Sequence, residues 1–451
     1  MMPLAKMRLA TLCALFSPLI PIALCQQPPV GEQLTLASAI TEALRNNRDL
    51  RVAQIDVSKA RDRIAVAHTY RLPSVSVDAL GLQLLTPLSF FFTPGALGVF
   101  PGLGPVPAAE TEETTPRRPI AVVTATVAQP ISQQFRIGLG IRLSELGQQI
   151  AEMRVRSQRQ NIVGDLKKVY FGMLQAQASL EAVEEARKAL TELDRVVGEY
   201  VQEQVALKSD GMEVKSKLLS MDLTSMQLKD GLQAGKEQIN RLMGRDIGTP
   251  FTIVNEPEPG PEEEDPGAAR KAALDNRPDL GEARLKLSQA ELDVRSRRSE
   301  QIPDVSLVFN YLSPFSVTGL PKNIAGIGAS VSWKPFDWGK ARHEISEKSL
   351  TVEQARTAIS QAESGILIEV GANFRKLQES RLKMQIARLN RDTAVEHVRV
   401  GTNQYSEKAV LLKEVLQRQA ELSESNSHYQ EALLAFWTAR ADFERSIGKD
   451  Q

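Results

Sequence analysis

The sequence predicts a mainly α-helical protein that is internally duplicated and that contributes four β-strands to a membrane β-barrel. Three observations lead to this fold class: a motif repeated 230 residues later, a pair of alternating strands in each half, and a long helical hairpin with heptad periodicity after each pair. The duplication has to be recognised first, because each repeat then forms a structural unit of the same kind.

The repeat is clearest where ALRNNRDL, beginning at Ala43, recurs as ALDNRPDL, beginning at Ala273. The 35 residues that follow from each start are identical at 11 positions without a gap. Each copy should begin with a helix. Thr35 precedes an apolar-periodic run in the first copy and Pro266 precedes one in the second, and both residues are helix-start signals.

Each helix is followed by two strands. A proline, Pro73 or Pro303, ends the helix, and apolar residues then alternate with the period of a strand. The second strands are predicted at Val123–Ile131 and Ile327–Phe336. Here the offset between copies has fallen from 230 to 205, so the first copy carries 25 additional residues between its strands. They fall in Thr93–Pro119, whose six prolines and four glycines predict a long exposed loop.

The longest helical segments close each copy. Apolar residues recur every seven positions along them, which is typical of helices packed lengthwise. These heptad residues are Ile162, Val169, Ala176, Val183, Leu190 and Val197 in the first copy and Val415, Leu422, Tyr429, Phe436 and Phe443 in the second. No proline interrupts Gln148–Met243, and a rise of about 1.5 Å per residue makes each helical arm about 80 to 90 Å long. Both copies should therefore end in a helical hairpin of equal size.

The first 25 residues have the features of a secretory signal peptide: two basic residues, an apolar stretch, and a segment where cleavage would leave Gln26 first. A lipid anchor on Cys25 is the alternative. Leu24 is larger than the small residue expected before a lipidated cysteine, so simple cleavage is expected. Cys13 and Cys25 are the only cysteines, and the mature chain would have no thiol for a disulfide, a metal site or nucleophilic catalysis.

The predicted organisation is a signal peptide (1–25), a first repeat (26–248), an acidic proline-rich linker (249–265) and a second repeat (266–451). Without the two basic residues of the signal peptide, 53 basic and 55 acidic residues remain. This balance argues against a protein that binds nucleic acid by neutralising phosphates. No later segment holds 18 consecutive apolar residues, so no membrane-spanning helix is predicted.

Four strands in one chain cannot close a barrel. Their length suits a tilted membrane strand of about 9 to 11 residues, and an open edge in lipid would leave backbone groups unpaired. Several chains must therefore pool their strands. In the last strand, the residues expected to face lipid are Ile327, Ala329, Val331 and Trp333, and those expected to face a lumen are Gly328, Ser330 and Ser332. The residues expected to form an aromatic girdle at the membrane surface are Trp333, Phe336 and Trp338.

The motifs that carry a family resemblance are the duplicated AL..N.DL helix, LPSVSV and IPDVSL at the strand entries, VAQPI and SWKPFDWGKAR at the strand exits, and GTNQY with LLKEVLQRQ in the last hairpin. Over residues 34–449 they resemble the TolC-like outer membrane efflux protein family, also called outer membrane factors. The resemblance implies a homotrimer whose twelve strands close a barrel in the outer membrane and whose helices form a tunnel across the periplasm. The strand count alone would also allow a dimer or a tetramer.

The resemblance also places the periplasmic entrance at the two hairpin tips, where acidic residues narrow the pore and bind cations. Asp210 and Glu414 occupy the matching positions, and Gln417 stands where another acid can occur. A ring of carboxylates made by symmetry would select cations. The alternative is that Asp210 and Glu414 are ordinary solvated helix charges beside Lys208 and Lys413.

The implied function is a passive exit duct of a tripartite efflux pump or type I secretion system, with a periplasmic adaptor (membrane fusion) protein, an inner membrane transporter and outer membrane lipid as partners. The alternative is a periplasmic trimeric coiled-coil scaffold or adaptor, which would not need alternating strands and aromatic girdles. An enzyme is not expected, since neither a GxSxG nor a P-loop motif occurs. No cofactor or metal is expected either, because the histidines lack paired ligand spacing. They are His68, His343, His397 and His428.

Overall fold

The computed structural model describes residues 32–204, 207–255, 264–318, 320–407, 409–410 and 412–449. The predicted signal peptide, with Cys25, and the middle of the predicted linker lie outside these residues. The helices are α1 (Leu36–Asn46), α2 (Arg48–Thr69), α3 (Gln134–Gln202), α4 (Lys208–Met243), α5 (Pro266–Asn276), α6 (Pro278–Ser299), α7 (Lys340–Ser406) and α8 (Leu412–Ser446). The strands are β1 (Glu32–Leu34), β2 (Ser74–Gln83), β3 (Leu88–Phe92), β4 (Val99–Phe100), β5 (Gly104–Pro105), β6 (Thr111–Thr115), β7 (Pro119–Pro130), β8 (Phe251–Ile253), β9 (Asp304–Phe315) and β10 (Ile324–Ser332).

Two long helical hairpins of equal size close the repeats, as predicted. α3 has 69 residues and α4 has 36, while α7 has 67 and α8 has 35. The heptad residues whose side chains are described are all buried or half-buried. α3 is longer than predicted, because it begins at Gln134 rather than near Gln148 and so spans about 100 Å. Gly138, Gly140 and Gly147 lower the helix propensity of this first stretch, and packing against α2 and α6 overrides it.

The helix predicted at the start of each repeat is two helices. In the first repeat the buried Asn47 separates α1 from α2 and caps α2, because its Oδ1 accepts a hydrogen bond from Leu50 N at 3.0 Å. The Asn47 side chain also donates to the carbonyl of Leu242 at 2.8 Å. In the second repeat Pro278 occupies the first turn of α6, where a missing N–H is tolerated. The apolar periodicity continues through both breaks, which is why the sequence predicts a single helix.

The repeated motif lies where each hairpin returns to the short helices. Gly244 and Gly448 follow α4 and α8 with φ of +73° and +77°. A Cβ at Gly244 would lie 2.3 Å from the carbonyl oxygen of Asn46, and one at Gly448 would lie 3.0 Å from the carbonyl carbon of Asn276. Only glycine fits a left-handed backbone at such a close approach without strain. Asn46 and Asn276 are equivalent residues of the two motifs, so the same contact closes each repeat.

Four strands form one antiparallel sheet in the order β10–β9–β7–β2. β7 begins at Pro119, earlier than the predicted start at Val123, and β10 ends at Ser332 rather than at Phe336. Pro335 follows the end of β10, and it has no N–H with which to continue the ladder. The edge strands β2 and β10 are exposed along their whole lengths. Among the described residues neither has a neighbour on its outer side, so the sheet of one chain is open.

The additional residues of the first repeat form short strands rather than a plain loop. β3 pairs with β6 and β4 pairs with β5, both antiparallel. The base of this extension is fixed to the turn between β9 and β10, since Thr318 N donates to Thr115 Oγ1 at 2.7 Å and Arg118 Nε donates to the Ser316 carbonyl at 2.9 Å. The prolines and glycines give the segment a loop-like composition, but enough backbone donors remain for both ladders.

The helices lie side by side in two rows that share α3 and α7. In one row α4 packs on α3, α3 on α8 and α8 on α7; in the other α2 packs on α3, α3 on α6 and α6 on α7. The first row contains the hairpin tips and the second continues from the strands. α4 and α7 are therefore the two edges of the first row, as β2 and β10 are the edges of the sheet.

One core cluster lies around Tyr170 on α3, where α1, α4, β1 and β8 meet. The buried Tyr170 hydroxyl lies 2.6 Å from the Val254 carbonyl and accepts a hydrogen bond from Val254 N at 3.2 Å. β8 pairs in parallel with β1 and carries the buried Phe251, although it lies in the segment predicted as a linker. At the other end of that segment Asp265 caps α5 by accepting two backbone hydrogen bonds. Both ends of the predicted linker are thus part of the fold.

Candidate functional site: an open membrane sheet and two hairpin tips

The open sheet has one apolar and one polar face. Directly opposite residues of paired strands project to the same face, so the register defines both faces. Reading from β10 to β2, one row of the apolar face is Ile327, Phe309, Val127 and Val75, and the next is Ala325, Tyr311, Ala125 and Val77. A row of the opposite face is Gly326, Asn310, Thr126 and Ser76. Polar side chains on that face bond to each other, since Thr126 Oγ1 lies 2.9 Å from Asn310 Oδ1.

The apolar face is uncovered in a single chain. The side chains of Ile327, Val75 and Val77 are 75%, 70% and 68% exposed. The residues predicted to face lipid that lie within β10 are all on this face, and those predicted to face a lumen are all on the other. Soluble monomers rarely expose a contiguous apolar face of this kind.

The predicted aromatic girdle lies just beyond β10. Trp333, Phe336 and Trp338 are all exposed, and the rings of Phe336 and Trp338 contact each other edge to face with centroids 4.8 Å apart. Asp337 holds the turn between them and α7, because its two carboxylate oxygens accept hydrogen bonds from Gly339 N at 3.1 Å and Ala341 N at 2.7 Å. Trp338 has φ of +57° and is 89% exposed, so the turn directs this ring away from the protein.

The two acidic gate candidates occupy equivalent backbone positions. Asp210 is the third residue of α4 and Glu414 is the third residue of α8, so each lies in the first turn after a hairpin tip. Glu414 is exposed, whereas the side chain of Asp210 lies outside the described part of the chain. Gln417 is exposed as well, and its Nε2 lies 3.4 Å from Glu421 Oε1 one turn further along α8.

Arg418 is a tip residue that sequence reasoning missed. It lies one turn beyond Glu414, and its guanidinium donates to the His397 carbonyl and to Gln404 Oε1, both at 3.3 Å. A Cβ at Gly401 would lie 2.8 Å from this side chain, so glycine makes room for it on α7. The signal in the sequence is a basic residue four positions after Glu414, but its contacts across the hairpin are visible only in three dimensions. The second tip therefore carries a cation as well as Glu414.

Each edge of the hairpin row carries an exposed apolar stripe. The α4 stripe is Met212, Leu219, Leu223 and Met226, and the α7 stripe is Ile368, Leu382, Ile386 and Leu389; every member is more than half exposed. In each stripe the spacing of three, four or seven residues, or a multiple, keeps the members on one helix face. These faces point away from the helices against which α4 and α7 pack.

Among the described helices, none combines the length and the apolar character that crossing a membrane would require.

The sequence profile of the outer membrane efflux protein family matches residues 39–244 and 269–449, one segment in each repeat. A comparison with curated protein sequences gives no significant match. Among solved structures, the outer membrane channel CmeC of Campylobacter jejuni is 16% identical with a TM-score of 0.71, over 92% of this chain and 85% of that chain. The outer membrane protein VceC of Vibrio cholerae is 14% identical with a TM-score of 0.68, over 92% and 96%.

The open state of the MtrE outer membrane channel of Neisseria gonorrhoeae is likewise 14% identical with a TM-score of 0.68, over 92% of this chain and 88% of that chain. At this low sequence identity the similar structures show the fold alone, whereas the profile match to both repeats shows the family. The chain belongs to the outer membrane efflux protein family.

Proposed function

We propose that this outer membrane efflux protein is the channel-tunnel that serves as the passive exit duct of a tripartite efflux pump or type I secretion system. The observation that carries the proposal is the open four-stranded sheet with one apolar and one polar face. Three chains would pool twelve strands into a barrel, with Ile327, Phe309, Val127 and Val75 facing lipid and Asn310, Thr126 and Ser76 facing the lumen.

Both the strand edges, β2 and β10, and the helix edges, α4 and α7, support closure of the barrel by several chains. β2 of one chain would pair with β10 of the next, which removes the unpaired strand edges that hydrocarbon does not tolerate. The α4 stripe would meet the α7 stripe in the same way below the membrane. In a cyclic trimer each chain would offer β2 and α4 to one neighbour and β10 and α7 to the other, so that every edge is paired. A periplasmic adaptor and an inner membrane transporter are the partners that such a duct requires.

The alternative of a periplasmic coiled-coil scaffold receives no support from the comparisons, since the family and the similar structures are outer membrane proteins and channels. An apolar sheet face would also have no use in a scaffold that stays in water.

The test of the proposed function is the location and assembly of the chain. We expect a trimer in the outer membrane fraction that runs as a trimer on an unheated gel and as a monomer after boiling. A soluble monomer, stable without detergent in the periplasmic fraction, would contradict the proposal. Fractionation against inner membrane and periplasmic marker proteins separates the two outcomes.

The two hairpin tips are proposed as the periplasmic entrance, with Asp210 and Glu414 of three chains lining one acidic constriction. Equivalent positions in the first turns of α4 and α8 support this, because symmetry would then give six carboxylates at similar heights. Mutual repulsion across a narrow pore favours bound cations. Arg418 would offset part of the acidic charge at the second tip.

Neutralising both acids, as Asp210→Asn with Glu414→Gln, should raise the conductance of the trimer in planar bilayers or weaken its block by divalent cations. The control variant is Glu424→Gln with Glu431→Gln, which removes the same number of carboxylates from exposed positions further along α8. If the tip variant keeps wild-type conductance and cation sensitivity, Asp210 and Glu414 are ordinary surface charges.

A further inference from the structure

The extension of the first repeat ends in a segment without a single polar side chain. Residues 94–109 contain only glycine, alanine, valine, leucine, phenylalanine and proline, and we name them the apolar tip. Leu97, Val99 and Leu103 in this tip are 62%, 73% and 76% exposed in one chain. A water-facing loop is normally polar, since each exposed apolar square ångström is unfavourable by about 25 cal/mol. The composition therefore indicates that something covers the tip.

The apolar tip is held at a fixed base rather than joined by a free linker. The β3–β6 ladder continues the β2–β7 hairpin, because Leu84 N donates to the Arg118 carbonyl at 3.3 Å between them. Thr115 at the end of β6 is fully buried and bonded to Thr318 in the neighbouring turn. The tip thus starts from a defined point on the rim of the sheet, at the end opposite to the helices.

We propose that the three apolar tips of a trimer pack against each other and form a cap over the extracellular mouth of the barrel. This inference rests on the proposed function. Twelve strands about 4.8 Å apart and tilted by about 40° give a circumference of about 75 Å and a radius of about 12 Å. Four extended residues span that radius. Nine residues on each arm, within 93–110, are available beyond the β3–β6 ladder, so the tips can meet on the axis.

The threefold symmetry of a trimer favours packing of the apolar tips against each other. A threefold axis brings the same apolar surface of each chain to one place, and packing the three surfaces together removes them from water at once. The extension occurs only in the first repeat, so a trimer has three such tips, one at every third of the rim. In each chain the tip is joined through β3 to β2, the edge strand with which the next chain would pair.

The charges beside the tip argue against insertion into the membrane instead. Glu110, Glu112 and Glu113 follow it directly, and the latter two are exposed in β6. Insertion of the tip into the surrounding leaflet would bring these carboxylates to the edge of the hydrocarbon, where burial of a charge is unfavourable. Residues 88–116 also contain no tryptophan, tyrosine, lysine or arginine, the residues that anchor a segment at a membrane interface.

The cap can be tested by cross-linking a single cysteine. In a chain with Cys13→Ala and Cys25→Ala, Leu103→Cys is placed in the apolar tip. Leu85→Cys serves as the control, because Leu85 is 81% exposed and lies between β2 and β3, at the base of the extension. The purified trimer is treated with a short bis-maleimide and then denatured. We expect covalent dimers in most chains of Leu103→Cys and few in Leu85→Cys, because equivalent rim positions would be about 20 Å apart on a barrel of this radius.

Two further outcomes would contradict the cap without contradicting the proposed function. If both variants run as trimers before heating but Leu103→Cys reacts only with a single-headed maleimide, the tips do not meet. If a fluorophore attached in Leu103→Cys is quenched by spin-labelled lipid in vesicles, the tip enters the membrane instead. Absence of a trimer in the wild-type chain would count against the proposed function rather than against the cap.

Discussion

Two glutamates on the α4 stripe, introduced as Leu223→Glu with Met226→Glu, are expected to abolish the trimer while each chain still folds. Both side chains are exposed in a single chain, at 56% and 62%, so their replacement removes little packing within it. In a trimer the stripe would be covered. Fully burying an exposed leucine or methionine contributes about 1.5 to 3 kcal/mol, and about three-fifths of each side chain remains to be buried, so three interfaces with two such residues would lose roughly 5 to 11 kcal/mol. Burying unpaired carboxylates there would be still less favourable.

The measurement is migration on an unheated gel and the mass of the purified protein in detergent. Ser220→Glu is the control, because it adds a charge to an exposed position on another face of α4. Ile386→Glu with Leu389→Glu on the α7 stripe should have the same effect, since these residues lie roughly as far from their hairpin tip as Leu223 and Met226 do from theirs. A wild-type trimer from either stripe variant would show that α4 and α7 do not meet between chains.

The elements that the sequence predicts well are those whose period is long and uninterrupted. The heptads ending at Val197 and beginning at Val415 predict both hairpins and their equal size, and the switch to alternation after Pro73 and Pro303 predicts the strands. The breaks at Asn47 and Arg277 are missed for a physical reason. An internal cap removes only one or two helical hydrogen bonds, and the apolar face of the helix continues past it.

The candidate site is predicted less completely, because it depends on contacts between distant segments. Alternation in β10 separates Ile327 from Gly328, but it does not reveal that Ile327, Phe309, Val127 and Val75 form one row across four strands. The row can be recognised only from the strand register, which gives the residues that lie opposite each other in neighbouring strands. The exposed stripes on α4 and α7 are missed because a heptad pattern does not say which of two apolar faces the same chain covers.

The contact between the repeats also depends on charges that no periodicity reveals. Lys167 on α3 and Glu444 on α8 form an ion pair with 2.7 Å between Nζ and Oε2, and both side chains are more than four-fifths buried. Arg440 Nε lies 3.2 Å from the other carboxylate oxygen. Burial raises the pKa of Glu444, but the two cations more than offset this effect, so its pKa is lowered overall. The pair is thus a charged contact that joins the first repeat to the second.

Glu444→Gln is expected to destabilise the chain by about 3 kcal/mol at neutral pH, because it removes the carboxylate from a largely buried pair while Lys167 stays charged. The control is Glu379→Gln, whose partner Lys383 Nζ is 2.8 Å away but whose side chain is 65% exposed; such a pair contributes about 0.5 kcal/mol or less. Thermal unfolding followed by helical circular dichroism measures both variants against the parent.

The effect of Glu444→Gln should also depend on pH in a defined direction. A carboxyl whose folded pKa is lowered contributes stability that is fully present above its unfolded pKa, about 4.3 for glutamate, and that is lost as pH falls through the folded pKa. The parent should therefore lose stability below that pH more steeply than Glu444→Gln, and the two midpoints should converge in acid. A difference that stays constant from about pH 7 to about pH 3 would mean that the substitution acts through packing and not through the charge.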